Sequence, residues 1–143
     1  MPTSLREQIM ARCVVALTGA TGAGVHVSRS REISIVRAEA PAIVVMPAGE
    51  QDQRIGQGSD RHEFGVTLAI FVRGDPWDQL ADAVAVDAHR VLCADSVLLG
   101  LAMDIRKIST DYESEEADRT AGTLAAHYRF TYLTRAGDIA IAP

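Results

Sequence analysis

Chemistry in this chain would have to come from four histidines, two cysteines and its carboxylates, so their spacing is the first thing to weigh. His89 and Cys93 stand four residues apart within a helical pattern, one turn from each other, and both could in principle face a metal ion. Two ligands are not a site, because zinc needs at least three from the protein. His89 borders the polar side of that helix and Cys93 the apolar side, which reads as a boundary residue and a core residue. His26, His62 and His127 fall on extended segments, and nothing in the sequence brings them together. There is no Gly-x-Ser-x-Gly elbow and no Cys-x-x-Cys pair. The glycine-rich stretch 18–24 superficially resembles a phosphate-cradling loop. It closes a helix and leads into an extended segment, the reverse of the strand-to-helix order that aims backbone amides at a phosphate. It reads as a helix stop with Gly19 or Gly22 in the left-handed cap position. No catalytic, metal or cofactor-binding residue is expected, and the protein is not expected to be an enzyme.

The elements around these residues are organised by the stretch 61–95. From 62 to 73 the chain alternates, with Phe64, Val66, Leu68, Ile70 and Val72 on one face and Glu63, Gly65, Thr67, Ala69 and Phe71 on the other. At about 3.3 Å per residue such a strand is roughly 40 Å long. Asp75 offers an N-cap acceptor and Pro76 suits a first helical position, so a helix is expected to start there. Trp77, Leu80, Ala81, Val84, Ala88, Val91 and Leu92 then recur at helical spacing and should pack on the strand. An earlier helix is expected after Ser4, with Leu5, Ile9, Cys13, Ala16 and Leu17 on one side. Segments 25–28 and 32–36 could form a small edge hairpin, and 42–46 is apolar on both faces, as suits a buried central strand.

Residues 48–60 carry three glycines, three glutamines and hardly an apolar side chain, and are expected to be a long mobile loop. Residues 96–101 read as an apolar turn in which Gly100 permits an unusual backbone conformation. A long C-terminal hairpin follows, with a phase slip that predicts a bulge near Lys107. Its return strand places Leu124, Ala126, Tyr128, Phe130 and Tyr132 on one face. That aromatic face could stack nucleic-acid bases, but it is the face that must bury under the helices, so it reads as core. The connection 113–118 is strongly acidic, and 134–143 is expected to be a loose tail. The expected fold is α+β: a mainly antiparallel β-sheet with two α-helices packed on one face.

The chain has 143 residues and a formal net charge of −5, with no clustered basic run. The length fits a single domain, 1–143, that buries roughly 70% of its unfolded surface. The charge argues against a phosphate-binding surface as the main function. No apolar run reaches membrane-spanning length and the start lacks a signal-like segment, so a soluble, unexported protein is expected. Cys13 and Cys93 are both expected to be buried thiols.

Several segments together resemble the tail-terminator (minor tail, or tail-completion) proteins of long-tailed bacteriophages. They are the N-terminal helix, Pro41-Ala42-Ile43-Val44-Val45, the long strand ending Gly74-Asp75-Pro76, the helix at 81–92, the stretch 95–102, and Tyr128-Arg129-Phe130-Thr131-Tyr132. The resemblance covers nearly the whole chain and carries no catalytic signature. It implies a structural protein of the virion tail, assembled in the bacterial host cytoplasm. Its implied partners are further copies of itself in a ring, typically a hexamer, the tail tube protein, and a head-completion or connector protein. The ring stops tube polymerisation and offers the head-joining surface; DNA passes its channel without specific binding. A closed ring needs two different patches on each subunit. Arg54 and Arg61 on one side, and Glu113, Glu115, Glu116 and Asp118 on the other, are the candidates for them. The alternative is a small α+β enzyme or ligand-binding domain that dimerises through its sheet.

Overall fold

The computed structural model describes residues 2–30, 40–115 and 120–143. Helix α1 (Leu5–Leu17) starts on Ser4, whose hydroxyl accepts from the Glu7 amide at 3.2 Å. It stops at Thr18, followed by Gly19 at φ +76°; of the two glycines proposed for the left-handed position, Gly19 takes it. Strand β1 (Val27–Arg29) then runs parallel to β2 (Ala42–Arg54). This first arm of the expected edge hairpin therefore pairs with β2, and its proposed second arm, 32–36, lies outside the described residues. After β3 (Ser59–Arg73) come α2 (Trp77–Ala94), a short α3 (Ser96–Leu101), β4 (Asp104–Ser114) and β5 (Ala121–Arg135).

The sheet order is β1-β2-β3-β5-β4, antiparallel except for the first pair. The fold is α+β with the helices packed against the sheet. Buried Phe64, Val66, Leu68, Ile70 and Val72 of β3 and Leu124, Ala126, Tyr128, Phe130 and Tyr132 of β5 share the face that the helices cover. Helix α2 presses Ala81, Val84, Ala88 and Leu92 toward it, and α1 contributes Leu5, Ile9, Met10, Cys13 and Leu17. The fully covered aliphatic side chains are each worth about 1.5–3 kcal/mol.

Several expectations need correction. Residues 48–54 are strand, and the connection to β3 is only 55–58; the polar composition that reads as a loop belongs to a hairpin arm that projects into solvent. The tail is tied down: Thr134 is wholly buried within β5, Arg135 N–H donates to Ile141 at 2.9 Å, and Leu5 N–H donates to Ile139 at 2.9 Å. Residues 96–101 form a third helix, capped by Asp95, whose carboxylate accepts from the Leu98 amide at 3.0 Å. Gly100 is an ordinary helical residue with no positive φ. Helix α2 starts one residue later than expected, since Pro76 keeps extended dihedrals (φ −84°, ψ 128°) as its N-cap and Asp75 makes no cap. Leu80 is left exposed at the rim. Cys93 is exposed as well, because the buried stripe of α2 ends on Leu92; Cys13 alone is buried, and desolvation raises its thiol pKa to about 12. The bulge expected near Lys107 is present, between Lys107 and Ser109.

Trp77 locks α2 onto β5. A Cβ on Gly122 would lie 2.4 Å from Trp77 Cδ2, so the indole occupies the space a side chain would need. Gly122→Ala should therefore cost about 1–3 kcal/mol through overpacking. It should also shift the emission of Trp77, the sole tryptophan, to longer wavelength. Gly100→Ala, with nothing within 4 Å of its Cβ, should instead add up to about 1 kcal/mol. Urea unfolding followed by fluorescence checks both; an unchanged midpoint for Gly122→Ala would mean that the indole is not seated there.

Candidate functional site

The residues proposed for assembly sit at two ends of one sheet. Arg54 and Arg61 flank the β2–β3 turn, whereas Glu113 lies at the end of β4 and Glu115 just beyond it. Register along β5 measures their separation: Arg61 pairs with Leu133 and Glu113 with Thr123, roughly 30 Å apart at about 3.3 Å per residue. The remaining two candidates, Glu116 and Asp118, lie outside the described residues. Neither arginine is free: Arg54 Nε bonds Asp60, and Arg61 Nη2 lies 3.6 Å from Glu63. At the opposite end Arg73 Nη2 lies 3.8 Å from Glu115. That end also holds a surface cleft of about 740 Å³, lined by Trp77, Tyr112 and the carboxylates of Asp75, Asp78 and Asp82. It is the more acidic of the two ends.

A second feature is not legible as a site in the sequence. Strand β2 pairs Pro47 with Val66 but Glu50 with Phe64, so one extra residue enters β2 between them, with Gly49 at φ +93°. The extra residue reverses the phase. Ile43 and Val45 lie buried under the helices before it; after it the same face carries Glu50, partly buried, and Asp52, exposed. Glu50 and Asp52 thereby join His62 on the covered face. His62 is 3% exposed and stacks on Tyr132 with centroids 4.6 Å apart. Its Nδ1–H donates to Asp52 Oδ1 at 2.6 Å, and its Nε2 meets Thr134 Oγ1 at 2.7 Å. Glu50 accepts from Arg6 at 2.9 Å and from the Tyr132 hydroxyl. The His62 contact holds the Asp52 carboxyl below its usual range, and burial together with Glu50 pushes the Tyr132 hydroxyl well up. Glu50, Asp52 and His62 each offer a ligand atom, all within 4.8 Å of one another. The spacing of Glu50 and Asp52 by two is the available signal, hidden because the segment reads as a loop.

Of the other histidines, His26 is exposed just before β1, and His89 and His127 lie on opposite sides of the sheet. His89 reaches the Tyr128 hydroxyl at 2.9 Å, and Cys93 Sγ lies 3.7 Å from its Nε2. On the open face His127 joins Thr67 at 2.9 Å and Asp111 at 2.7 Å across three neighbouring strands. In a nucleophilic triad the acid is buried behind the imidazole. The Asp111 side chain is 76% exposed, so this row is a hydrogen-bonded seam on a solvated sheet.

No family model and no curated protein matches the sequence. Among solved structures 25 chains are similar. One is from the "Virion of native gene transfer agent (GTA) particle", at TM-score 0.50 and 14% identity, with 91% of this chain and 92% of that chain covered. The two chains share a fold.

Helix α1 is fastened to α3 by one ion pair. Arg12 grips Asp95 with two bonds, at 2.9 and 2.7 Å, while Asp95 also caps α3. The guanidinium lowers the Asp95 pKa to about 2. An unfolded aspartate titrates at about 3.9, so as the pH falls the unfolded chain takes up this proton first. The stabilisation is complete above that value and is lost as the pH falls through about 2. Asp95→Asn keeps a capping side chain but loses the charge. It should cost about 1 kcal/mol at neutral pH, with the deficit closing toward pH 2. Urea unfolding at both pH values measures this; a deficit that does not change with pH would assign the loss to packing.

Proposed function

We propose that this protein is a structural component of a phage-like virion and that it caps the end of the tail tube as a ring of identical subunits. The supporting observation is the shared fold with a chain of the gene transfer agent virion across 91% of this sequence. The resemblance to tail terminators adds where the protein sits and what it does there. It stops tube growth, joins the head surface, and leaves a channel that DNA crosses without specific binding. The partners on this reading are further copies of the chain, the tube protein and a head-completion or connector protein. The role is structural and not catalytic, and assembly takes place in the bacterial host cytoplasm.

A ring requires a heterologous contact, and the two ends of the sheet supply two different surfaces. One is the β2–β3 tip with Arg54 and Arg61; the other is the acidic end with Glu113 and Glu115, which Glu116 and Asp118 follow in the sequence. Both arginines are already paired within the chain, so the contact works by exchanging exposed ion pairs, each worth no more than about 1 kcal/mol. Charge then sets orientation more than affinity. The alternative of a small ligand-binding domain would use the cleft beside Trp77 and Tyr112, whose lining is mostly exposed.

Light scattering coupled to size exclusion, across a concentration series with and without purified tail tubes, separates these readings. Rings, free or seen by electron microscopy at tube ends, are the expected result. Glu113→Lys combined with Glu115→Lys should reduce ring or cap formation while leaving the monomer folded. A monomer or dimer that ignores tubes at every concentration would sink the proposal.

A further inference from the structure

We propose that Glu50, Asp52 and His62 form a binding site for a divalent transition-metal ion of the zinc class, bridging β2 and β3 beneath the start of α1. The observation that carries it is their convergence: one ligand atom from each lies within 4.8 Å of the other two. Their placement follows from the backbone. Asp52 and His62 are cross-strand partners, and the irregularity between Pro47 and Glu50 turns Glu50 onto the same face.

The ring of His62 is held ready. Tyr132 stacks on it at an interplanar angle of 22°, and Thr134, itself wholly buried, meets Nε2 at 2.7 Å. A metal-binding histidine is oriented by a partner on its other nitrogen. A threonine hydroxyl can donate or accept, so it serves both ring tautomers. Without an ion, Nδ1–H donates to Asp52. With one, the ring carries its proton on Nε2, donates it to Thr134 Oγ1, and turns the Nδ1 lone pair toward the ion.

Glu50 is oriented in the same manner by Arg6 and Tyr132, and its carboxylate has lone pairs beyond those two bonds. Its Oε2 lies 3.7 Å from His62 Nδ1, close to the spacing of two ligands sharing one ion. Only Asp52 must move, opening its 2.6 Å contact to roughly 3.3 Å for bonds of about 2.0–2.1 Å. Its side chain is 58% exposed, so it can swing and leave an entry path and a position for water. One imidazole with two carboxylates suits zinc better than calcium or magnesium, which favour sites of six or more oxygens. The Arg6 cation offsets part of the carboxylate charge, so the site is one of moderate affinity. It stands independently of the tail reading.

The test is calorimetric titration of the chelator-stripped full-length protein with ZnCl₂ or MgCl₂, together with thermal unfolding at each metal concentration. One zinc per chain and a Tm that rises with zinc concentration are expected, with magnesium giving no response. Asp52→Asn, a change at an exposed side chain, should stay folded and bind zinc at least roughly tenfold more weakly, as should His62→Gln. His89→Gln should bind as the parent does. Absence of zinc binding by the folded parent, an equal response to magnesium, or binding that survives Asp52→Asn but is lost in His89→Gln would each overturn the proposal.

Discussion

The pairing of β3 with β5 is the constraint on which the rest of the structure depends. Fifteen residues of each strand align without a break, from Ser59 with Arg135 to Arg73 with Ala121. An unbroken register keeps the phase, so even-numbered residues on both strands face the helices along the whole length. Phe64 lies opposite Phe130, and Val66 opposite Tyr128. Neither the α1 nor the α2 stripe could find a continuous apolar floor if this pair slipped by one residue. The irregularities are displaced to the neighbours: β2 is bulged after Pro47 and β4 after Lys107, while the central pair stays regular. A bulge at the periphery bends its own strand and leaves the core register intact.

The bulge in β2 has a chemical consequence as well as a geometric one. Ahead of it, β2 sends Ile43 and Val45 into the core; beyond it, the same face carries Glu50 and Asp52. A carboxylate drawn out of water is costly unless bonded; here Arg6 and Tyr132 bond the mostly covered Glu50, and His62 bonds the exposed Asp52. These partners come from three elements, α1, β5 and β3, so satisfying two carboxylates also fixes the helix start and two strands relative to the arm. Thr134 extends the network into the end of β5, where backbone bonds then hold the C-terminal residues. The polar end of the sheet is thus organised by hydrogen bonds and the other end by packing, chiefly Trp77 on Gly122.

What is legible in the sequence follows the same division. The alternation of 62–73 and of the closing strand marks the central pair, and the slip near Lys107 is visible because apolar residues occur on both sides of it. The arm at 48–54 is not legible, since Gln51, Asp52 and Gln53 give no hydrophobic phase and a strand projecting into solvent needs none. Its pairing depends on β3, which lies beyond the turn, and no local rule reports it. The same blindness hides the cluster at His62, whose partners are distant in sequence: Thr134 is 72 residues away. Residues 96–101 read as a turn because a helix of six residues is too short to show a period, and the grip of Arg12 on Asp95, 83 residues away, has no local signal. Of the six assembly candidates, four fall on described residues, and the fold places the two arginines and the two glutamates toward opposite ends of the sheet.

On the proposed reading, that contact must gain its affinity from something other than those charges. Exposed ion pairs already formed within the chain can be exchanged across an interface with little net change. Apolar surface is the remaining source, and both ends offer some: Ile55 at the β2–β3 turn is 44% exposed, and Tyr112 beside the acidic cleft is 58% exposed. Two such side chains bury little area compared with a standard interface of about 1,600 Å². A subunit pair built on these tips alone would be weak. Linking several subunits on a common template raises the effective concentration of each contact, so a weak pairwise interface becomes a stable closed ring only where a tube end gathers its members. A terminator with this surface chemistry would wait as a monomer and close on its target, which is the behaviour that keeps caps from forming before there is a tube to cap.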